Sequence, residues 1–282
     1  MEFKAYGKIN LSLDVTGILP NGYHSVSMVM QSVELCDVIS IEKAFSKEIS
    51  VTTDNKEIPD GKDNLAYKAA EMMMKEFEIP HGFNIKITKN IPLSGGMAGG
   101  STDAAAVIRA INEICGLKQS EKQLMSLGLT LGADIPFCIQ QKPALAKGIG
   151  EKLTKITGLS KELYILLVNP NVLISTKEIY NRIDENKSYN TINNEALVLA
   201  LKNQDLNSAA KNMKNVMQNV TSEICPEIDA IIDTLYKNGA NVALMSGSGA
   251  TCYGVFIKKE DALIAQRAFS NNYFTAITNP VE

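Results

Sequence analysis

The chain has 282 residues, more than one compact core usually holds, so two lobes of ordinary size are expected. With 45% hydrophobic and 21% charged residues it has the material for a real core and is expected to be ordered over most of its length. A formal net charge of −3 supplies no field to draw in a nucleic acid or an anionic membrane surface, so neither is expected as a partner.

The opening residues, MEFKAYGKINLSLDV, lack a basic stretch followed by an apolar run. No window approaches eighteen uninterrupted apolar residues, and a cytoplasmic protein is expected. The five cysteines, Cys36, Cys115, Cys138, Cys225 and Cys252, are odd in number and never form a CxxC pair, which indicates neither a disulfide framework nor a zinc site. His24 and His81 are too few for a His-rich centre, so any metal is expected to arrive carried by a ligand.

From Lys8 to Val15 the residues alternate, with Lys8, Asn10, Ser12 and Asp14 on one face and Ile9, Leu11, Leu13 and Val15 on the other. That is the pattern of a strand with one face in a core. Turn chemistry at Leu19 to Gly22 precedes apolar stretches at Val26 to Leu35 and around Val38 to Ile41. Asp63 is the expected N-cap of a helix through Ala69, Met73 and Phe77, stopped by Pro80, and Phe83 to Thr88 reads as a short strand. A Gly-rich run leads into the helix TDAAAVIRAINEIC, closed by Gly116, and Ser120 with Gln123 makes a capping box for another helix that Gly132 should end. Asp134 lies just past it, with Pro136 expected to hold Ile135 away from helical geometry.

Pro143 to Thr157 reads as a loop with Gly148 and Gly150, and a soft boundary there divides the chain into domains 1–157 and 158–282. A strand follows at Leu163 to Val168. Helices are expected at Thr176 to Ile183, Glu195 to Lys202, Leu206 to Gln218 and Glu227 to Lys237, and strands at Val242 to Met245, Thr251 to Ile257 and Tyr273 to Ile277. The polar run Asp184 to Asn194 reads as a mobile connection.

Four pieces of this pattern carry chemistry. In PLSGGMAGGSTD, glycines sit between a strand and a small-residue helix, where backbone must approach something closely. Free N–H groups at the helix start suit phosphate oxygens, and the three alanines at 104 to 106 let that start pack tightly. The same residues also read as a flexible turn with Ser101 or Thr102 as a plain helix cap. Neither the GxxxxGK[ST] nor the GxGxxG pattern is present. Lys8 and Asn10 share a strand face and can reach one ligand, or form a solvated face. Asp134 in LGADIPFC lies just past a helix end, where an aspartate reads as a turn residue. MSGSGATCYGVF joins two apolar strands through Ser246 to Gly249, a turn that also reads as a simple hairpin.

In this order, the segments resemble the GHMP kinase superfamily, with its lysine-bearing N-terminal strand, Gly/Ser-rich phosphate loop and late Gly-rich turn. The resemblance spans nearly the whole chain. Gly22-Tyr23-His24 within NGYHSVSMVMQSVELCD, together with LGADIPFC, narrows it to the family that phosphorylates a cytidine-diphosphate-linked sugar alcohol. The chain departs from that family's pattern at Leu19 and Asn21, where an arginine and an aspartate are usual, and at Met97 and Thr102, where leucine and serine are common.

The resemblance implies an α+β, two-domain GHMP kinase fold, with a ribosomal protein S5 domain 2-like N-terminal ATP-binding domain and a ferredoxin-like C-terminal substrate-binding domain. It implies transfer of the γ-phosphate of ATP, with Mg²⁺ arriving on the nucleotide, to the 2-hydroxyl of 4-diphosphocytidyl-2-C-methyl-D-erythritol, an early step towards isoprenoid precursors. By similarity the ATP phosphates lie along Pro92, Leu93, Ser94, Gly95, Gly96, Met97, Ala98, Gly99, Gly100, Ser101 and Thr102. Asp134 is then the base and Lys8 its assistant. Asn10, Tyr23, His24, Lys147, Thr176 and Tyr180 are the substrate contacts, His24 offering a donor and acceptor to the cytosine and Tyr180 stacking on it. His24 read alone is a structural loop residue, and Tyr180 a core tyrosine at helical spacing. Two rivals remain: a homoserine or mevalonate kinase of the superfamily, and a non-catalytic nucleotide sensor of the same fold.

Overall fold

A computed structural model describes residues 1–282 apart from 21, 94, 187–191, 270 and 271. Ser94, the departure at Asn21 and residues 187–191 of the polar run therefore lie outside the described residues, while the ends of that run, Asp184 to Asn186 and Asn194, are helical rather than a connection. Two compact units share the chain in alternating stretches: Met1–Gly7, Cys36–Ile91 and Ala98–Gln141 in the first, Lys8–Leu35, Pro92–Met97 and Lys142–Glu282 in the second. Neither unit is one continuous stretch, so these units are a different partition from domains divided at residue 157.

Two long strands, β1 (Glu2–Ile18) and β2 (His24–Lys43), pair with each other and contribute to both units. The two apolar stretches expected around Val26 and Val38 are one strand. The polar side of β1 is not solvated: Lys8, Asn10, Ser12 and Asp14 are as buried as the aliphatic side. Burial is tolerated because partners replace water, Ser12 Oγ donating to Asn194 and Asp14 Oδ2 accepting the Ile192 N–H.

In the first unit, the second half of β2 pairs antiparallel with β4 (Phe83–Thr88), and β3 (Ile49–Thr53) pairs parallel with β4. β3 is absent from the sequence reading; ISVTT is short and only its central Val51 is buried. In β4, Phe83, Ile85 and Ile87 alternate inward. They join a core with Ala66, Ala69, Ala70 and Met73 of α1 (Leu65–Glu76) and Ala104 to Ile108 of α2 (Gly99–Ile114). The small side chains on both helices allow close packing. The cap of α1 is Asn64, whose side chain accepts the Ala66 N–H, and not Asp63, which lies in a preceding single turn of 3₁₀ helix.

The Ser120–Gln123 capping box opens α3 (Glu121–Leu129) as expected. Asp134 begins α4 (Ile135–Gln140), so Pro136 does not keep Ile135 out of a helix. A proline in the first turn lacks an N–H that would have no intrahelical partner anyway.

In the second unit, the expected loop at Pro143 to Thr157 contains a hairpin, β5 (Ala144–Gly148) with β6 (Lys152–Lys155), and β5 pairs with Val26–Met30 of β2. Its strands are short, and two glycines at positive φ, Gly148 at the end of β5 and Gly150 in the turn, hide the pattern.

The remaining strands, β7 (Tyr164–Asn169), β8 (Val242–Met245), β9 (Cys252–Phe256) and β10 (Phe274–Thr278), form an antiparallel sheet in the order β10-β7-β9-β8. Helices α5 (Thr176–Asn186), α6 (Asn194–Lys202), α9 (Glu227–Lys237) and α10 (Lys259–Arg267) belong to the same unit. The helix expected over Leu206 to Gln218 is two, α7 (Leu206–Asn212) and α8 (Val216–Ile224). Asn215 separates them because its side-chain oxygen caps α8 at Met217 N, while its amide donates to the carbonyls of Met245 and Gly247. No described helix is long and apolar enough to cross a membrane.

Candidate active site

The second unit gathers the lysine strand, the glycine-rich loop and the late glycine turn at one point. Lys8 Nζ donates to Asn10 Oδ1 at 2.8 Å and to the Gly96 carbonyl at 2.7 Å, and the Lys8 N–H reaches the Met97 carbonyl at 3.2 Å. Ser246 Oγ donates to the same Gly96 carbonyl at 2.9 Å and accepts the Asn10 N–H at 3.3 Å. Tyr253, fully buried on β9, donates its hydroxyl to the Asn10 carbonyl at 2.9 Å. Residues 8, 10, 96 and 246, far apart in sequence, are thus one hydrogen-bonded group.

The turn between β8 and β9 is the hairpin that the sequence suggests. It is also packed on the loop: a Cβ on Gly96 would stand 2.1 Å from the Ser246 carbonyl oxygen, and one on Gly247 3.0 Å from the Gly96 oxygen. A Cβ on Gly95 would fall 2.4 Å from Thr251 Oγ1, which accepts a hydrogen bond from Asn169. Glycine is needed at 96 and 247 because loop backbone meets turn backbone, and at 95 because the Thr251 and Asn169 side chains press on it.

Also in the second unit, His24 opens β2 and Tyr180 lies on α5. Their rings stack with centroids 4.2 Å apart and planes 17° from parallel, and His24 Nε2 lies 2.8 Å from Asp184 Oδ1. Tyr180 is therefore not a plain core residue, and His24 is held by a carboxylate one helical turn further along α5. Tyr23 is exposed. Thr176, the first residue of α5, shares a hydrogen bond with the Ser248 hydroxyl at 2.8 Å, which joins that helix to the glycine turn. Lys147 stands on β5 opposite Ser27.

In the first unit, α2 opens on Ala98, which takes a left-handed conformation (φ 59°, ψ 31°) and provides no side-chain cap. Neither Ser101 nor Thr102 is the cap. Gly99 and Gly100 supply N–H groups at a helix start that no capping side chain takes up, the arrangement that suits an anion. Thr102 is spent internally, its hydroxyl donating to the Tyr6 carbonyl and its N–H to the Ala98 carbonyl. The Asp134 carboxylate makes no capping hydrogen bond to α4 and is partly exposed.

A buried ionic cluster beside this helix has no counterpart in the sequence motifs. Lys89 donates to Asp37 Oδ2 and, at 2.7 Å, to Asp103 Oδ2, while Asp37 Oδ1 accepts the N–H groups of Asn90 and Ile91 at 2.6 and 2.8 Å. Burial alone would lower the Lys89 pKa, but Asp103 and Asp37 outweigh it and raise it. Burial pushes the Asp103 carboxyl up to about 7 against the pull of Lys89. Three positions 14 or more residues apart leave no local signal of such a cluster in sequence. Among the described residues no group of three or more His, Cys, Asp or Glu is placed to hold a metal ion.

Residues 64–142 match the GHMP kinases N terminal domain and residues 197–275 the GHMP kinases C terminal model. The chain is 44% identical to a 4-diphosphocytidyl-2-C-methyl-D-erythritol kinase of Clostridioides difficile, over 97% of this chain and 92% of that one. It is likewise 44% identical to the enzyme of that name from Clostridium perfringens, over 95% and 92%. A crystal structure of 4-(cytidine 5'-diphospho)-2C-methyl-D-erythritol kinase superposes with a TM-score of 0.82 at 26% identity, covering 99% of both chains. A homoserine kinase from Cytophaga hutchinsonii, at 18% identity and TM-score 0.74, shares the fold over 97% of this chain and 95% of its own. With full-length relatives at this identity and both domain models matched, the chain belongs to the GHMP kinases and, within them, to the 4-diphosphocytidyl-2-C-methyl-D-erythritol kinase family.

Proposed function

We propose that this protein transfers the γ-phosphate of ATP to the 2-hydroxyl of 4-diphosphocytidyl-2-C-methyl-D-erythritol, giving the 2-phosphate and ADP, as a cytoplasmic enzyme of the methylerythritol phosphate route to isoprenoid precursors. It acts on small molecules and needs no nucleic acid or membrane. In the family's terms, residues 1–157 are the ATP-binding domain and 158–282 the substrate-binding domain. The observation that carries the reading is the joint at Gly96, where Lys8 and Ser246 converge on the backbone of the glycine-rich loop.

Phosphoryl transfer asks the protein for alignment, for neutralisation of charge and for one group to accept the hydroxyl proton. Pro92 to Ser101 cradle the phosphates, with backbone N–H groups at the start of α2 as donors. The Thr102 side chain anchors the helix, since both of its donors are used within the protein. Mg²⁺ arrives with ATP and neutralises phosphate charge when bound. Asp134, whose carboxylate is not spent on capping α4, takes the proton as the hydroxyl oxygen attacks phosphorus and ADP leaves. Lys8 stabilises the negative charge, and Asn10, bonded to its ammonium, holds the acceptor.

The cytosine is read by Tyr23, His24 and Tyr180. The stacked His24–Tyr180 pair supports this, because it joins a flat aromatic face to a ring with hydrogen-bonding nitrogens, and Asp184 fixes that ring. Thr176 and Lys147 serve the substrate's diphosphate or hydroxyls. ATP consumption against 4-diphosphocytidyl-2-C-methyl-D-erythritol, homoserine, mevalonate and galactose tests the assignment. Turnover with the first compound alone is expected. Phosphorylation of another acceptor would keep the superfamily and discard the substrate site, and turnover with none would favour a nucleotide sensor.

A further inference from the structure

The phosphate loop leaves the first unit after Ile91 and returns to it at Ala98, so both of its ends are held by that unit. The Asp37–Lys89–Asp103 cluster sits where those ends are fixed. Asp37 takes the last two backbone N–H groups before Pro92 on one carboxylate oxygen and the Lys89 ammonium on the other. Lys89 continues the chain of contacts to Asp103, one turn into α2. The first residue of α2 also packs on this ammonium, since a Cβ on Gly99 would stand 3.4 Å from Lys89 Nζ.

Stability does not account for the cluster. The two carboxylates and one ammonium are nearly inaccessible to water, at 0%, 5% and 4% side-chain exposure for Asp37, Asp103 and Lys89. Two carboxyl groups share one ammonium, so one of them lacks a cation of its own. Asp103 Oδ1 is buried with no hydrogen-bond partner among the described residues. Apolar side chains of similar volume usually cost less than such a group, whereas a rigid charged cluster fixes direction. Direction matters here, because a misplacement of about 1 Å at a phosphate-binding backbone costs on the order of 10²-fold in rate.

We propose that Asp37, Lys89 and Asp103 are positioning residues that hold the two ends of the phosphate loop in register, so that nucleotide affinity depends on them through backbone alone. The proposal rests on reading Pro92 to Ser101 as the phosphate site. Asp103→Leu keeps the Lys89–Asp37 pair, cuts the link to α2 and removes a buried charge.

The test measures equilibrium binding of a fluorescent ATP analogue, the KM for the acceptor and the melting temperature. We expect Asp103→Leu to melt at or above the wild-type temperature, to bind the analogue at least tenfold more weakly and to keep the acceptor KM within twofold. Asp103→Asn, whose amide oxygen still accepts from Lys89, should recover binding to within about threefold. Folded Asp103→Leu protein that binds the analogue within twofold of wild type overturns the proposal. If that variant does not fold, Lys89→Gln is measured against the same thresholds. Wild-type protein that binds no ATP analogue overturns the phosphate-site reading and this inference together. Binding by wild type and Asp103→Leu alike overturns the inference alone.

Discussion

Lys8 Nζ donates to the Gly96 carbonyl at 2.7 Å, so the N-terminal strand is bonded directly to the backbone of the glycine-rich loop. Lys8→Met should lower kcat by roughly 10²–10³-fold, the usual loss for one oriented charge-stabilising donor. Because the side chain is buried and bonded to both Asn10 and Gly96, the swap should also cost about 1–3 kcal/mol of stability. Steady-state rates and urea unfolding separate the two. A stability loss with kcat intact would make Lys8 structural.

Asp134→Asn should cut turnover by about 10²–10⁴-fold while the ATP analogue still binds, since a proton acceptor is removed and little shape is changed. Equal turnover in the variant would remove Asp134 as the base.

Gly96→Ala places a methyl 2.1 Å from the Ser246 carbonyl at a residue with φ of 70°. Both the overlap and the left-handed backbone oppose it, and a loss of at least about 2 kcal/mol is expected together with weaker ATP binding. Thermal unfolding and nucleotide titration check this, and a variant that melts and binds like wild type would mean that the two turns separate freely.

Tyr180→Ala should raise the KM of the cytidine substrate by roughly 5–150-fold, matching about 1–3 kcal/mol of lost stacking, with the KM of ATP nearly unchanged. Loss of both affinities would indicate a folding defect through the His24 contact.

The Asp103 carboxyl, raised by burial to about 7, holds a proton in the folded state at pH values where the unfolded chain has already lost it. Its contribution to stability is full below about pH 4 and is lost as pH rises towards 7, with a slope of at most about 1.4 kcal/mol per pH unit. Asp103→Asn should therefore gain on wild type across that interval and hold its gain above it. Melting temperatures in a pH series decide this. A constant difference between the two proteins from pH 4 to 8 would mean that Asp103 titrates normally.

Local pattern makes much of the architecture legible in the sequence. Alternation exposed Lys8 to Val15 of β1, Phe83 to Thr88 read as the short strand that is β4, and the Ser120–Gln123 box marked α3. Where short-range rules competed, they misled: Asn64 outranked Asp63 as a cap because only its side chain reaches the Ala66 N–H, and Asn215 broke what reads as one helix. The polar side of β1 looks like a solvent face because nothing local shows that Ser246, Asn194 and Gly96 will replace water there. The candidate site divides in the same way. Lys8, the glycine-rich loop and His24 stand out by motif, whereas Asp184, Asn215 and the Asp37–Lys89–Asp103 cluster exist as partners only after folding.

The alternation of the chain between its two compact units bears on how the protein is made. Residues 8–35 and 92–97 leave the ribosome before the rest of their unit, whose other segment is Lys142–Glu282. Contacts such as Asn10 with Ser246 span 236 residues, so closing them is slow and waits until Ser246 has been made. A nascent chain halted at residue 141 has every segment of the first unit but holds the lysine strand and the glycine loop without their partners. Neither half of a gene split there encodes a complete second unit, and activity from such a split depends on the halves finding each other.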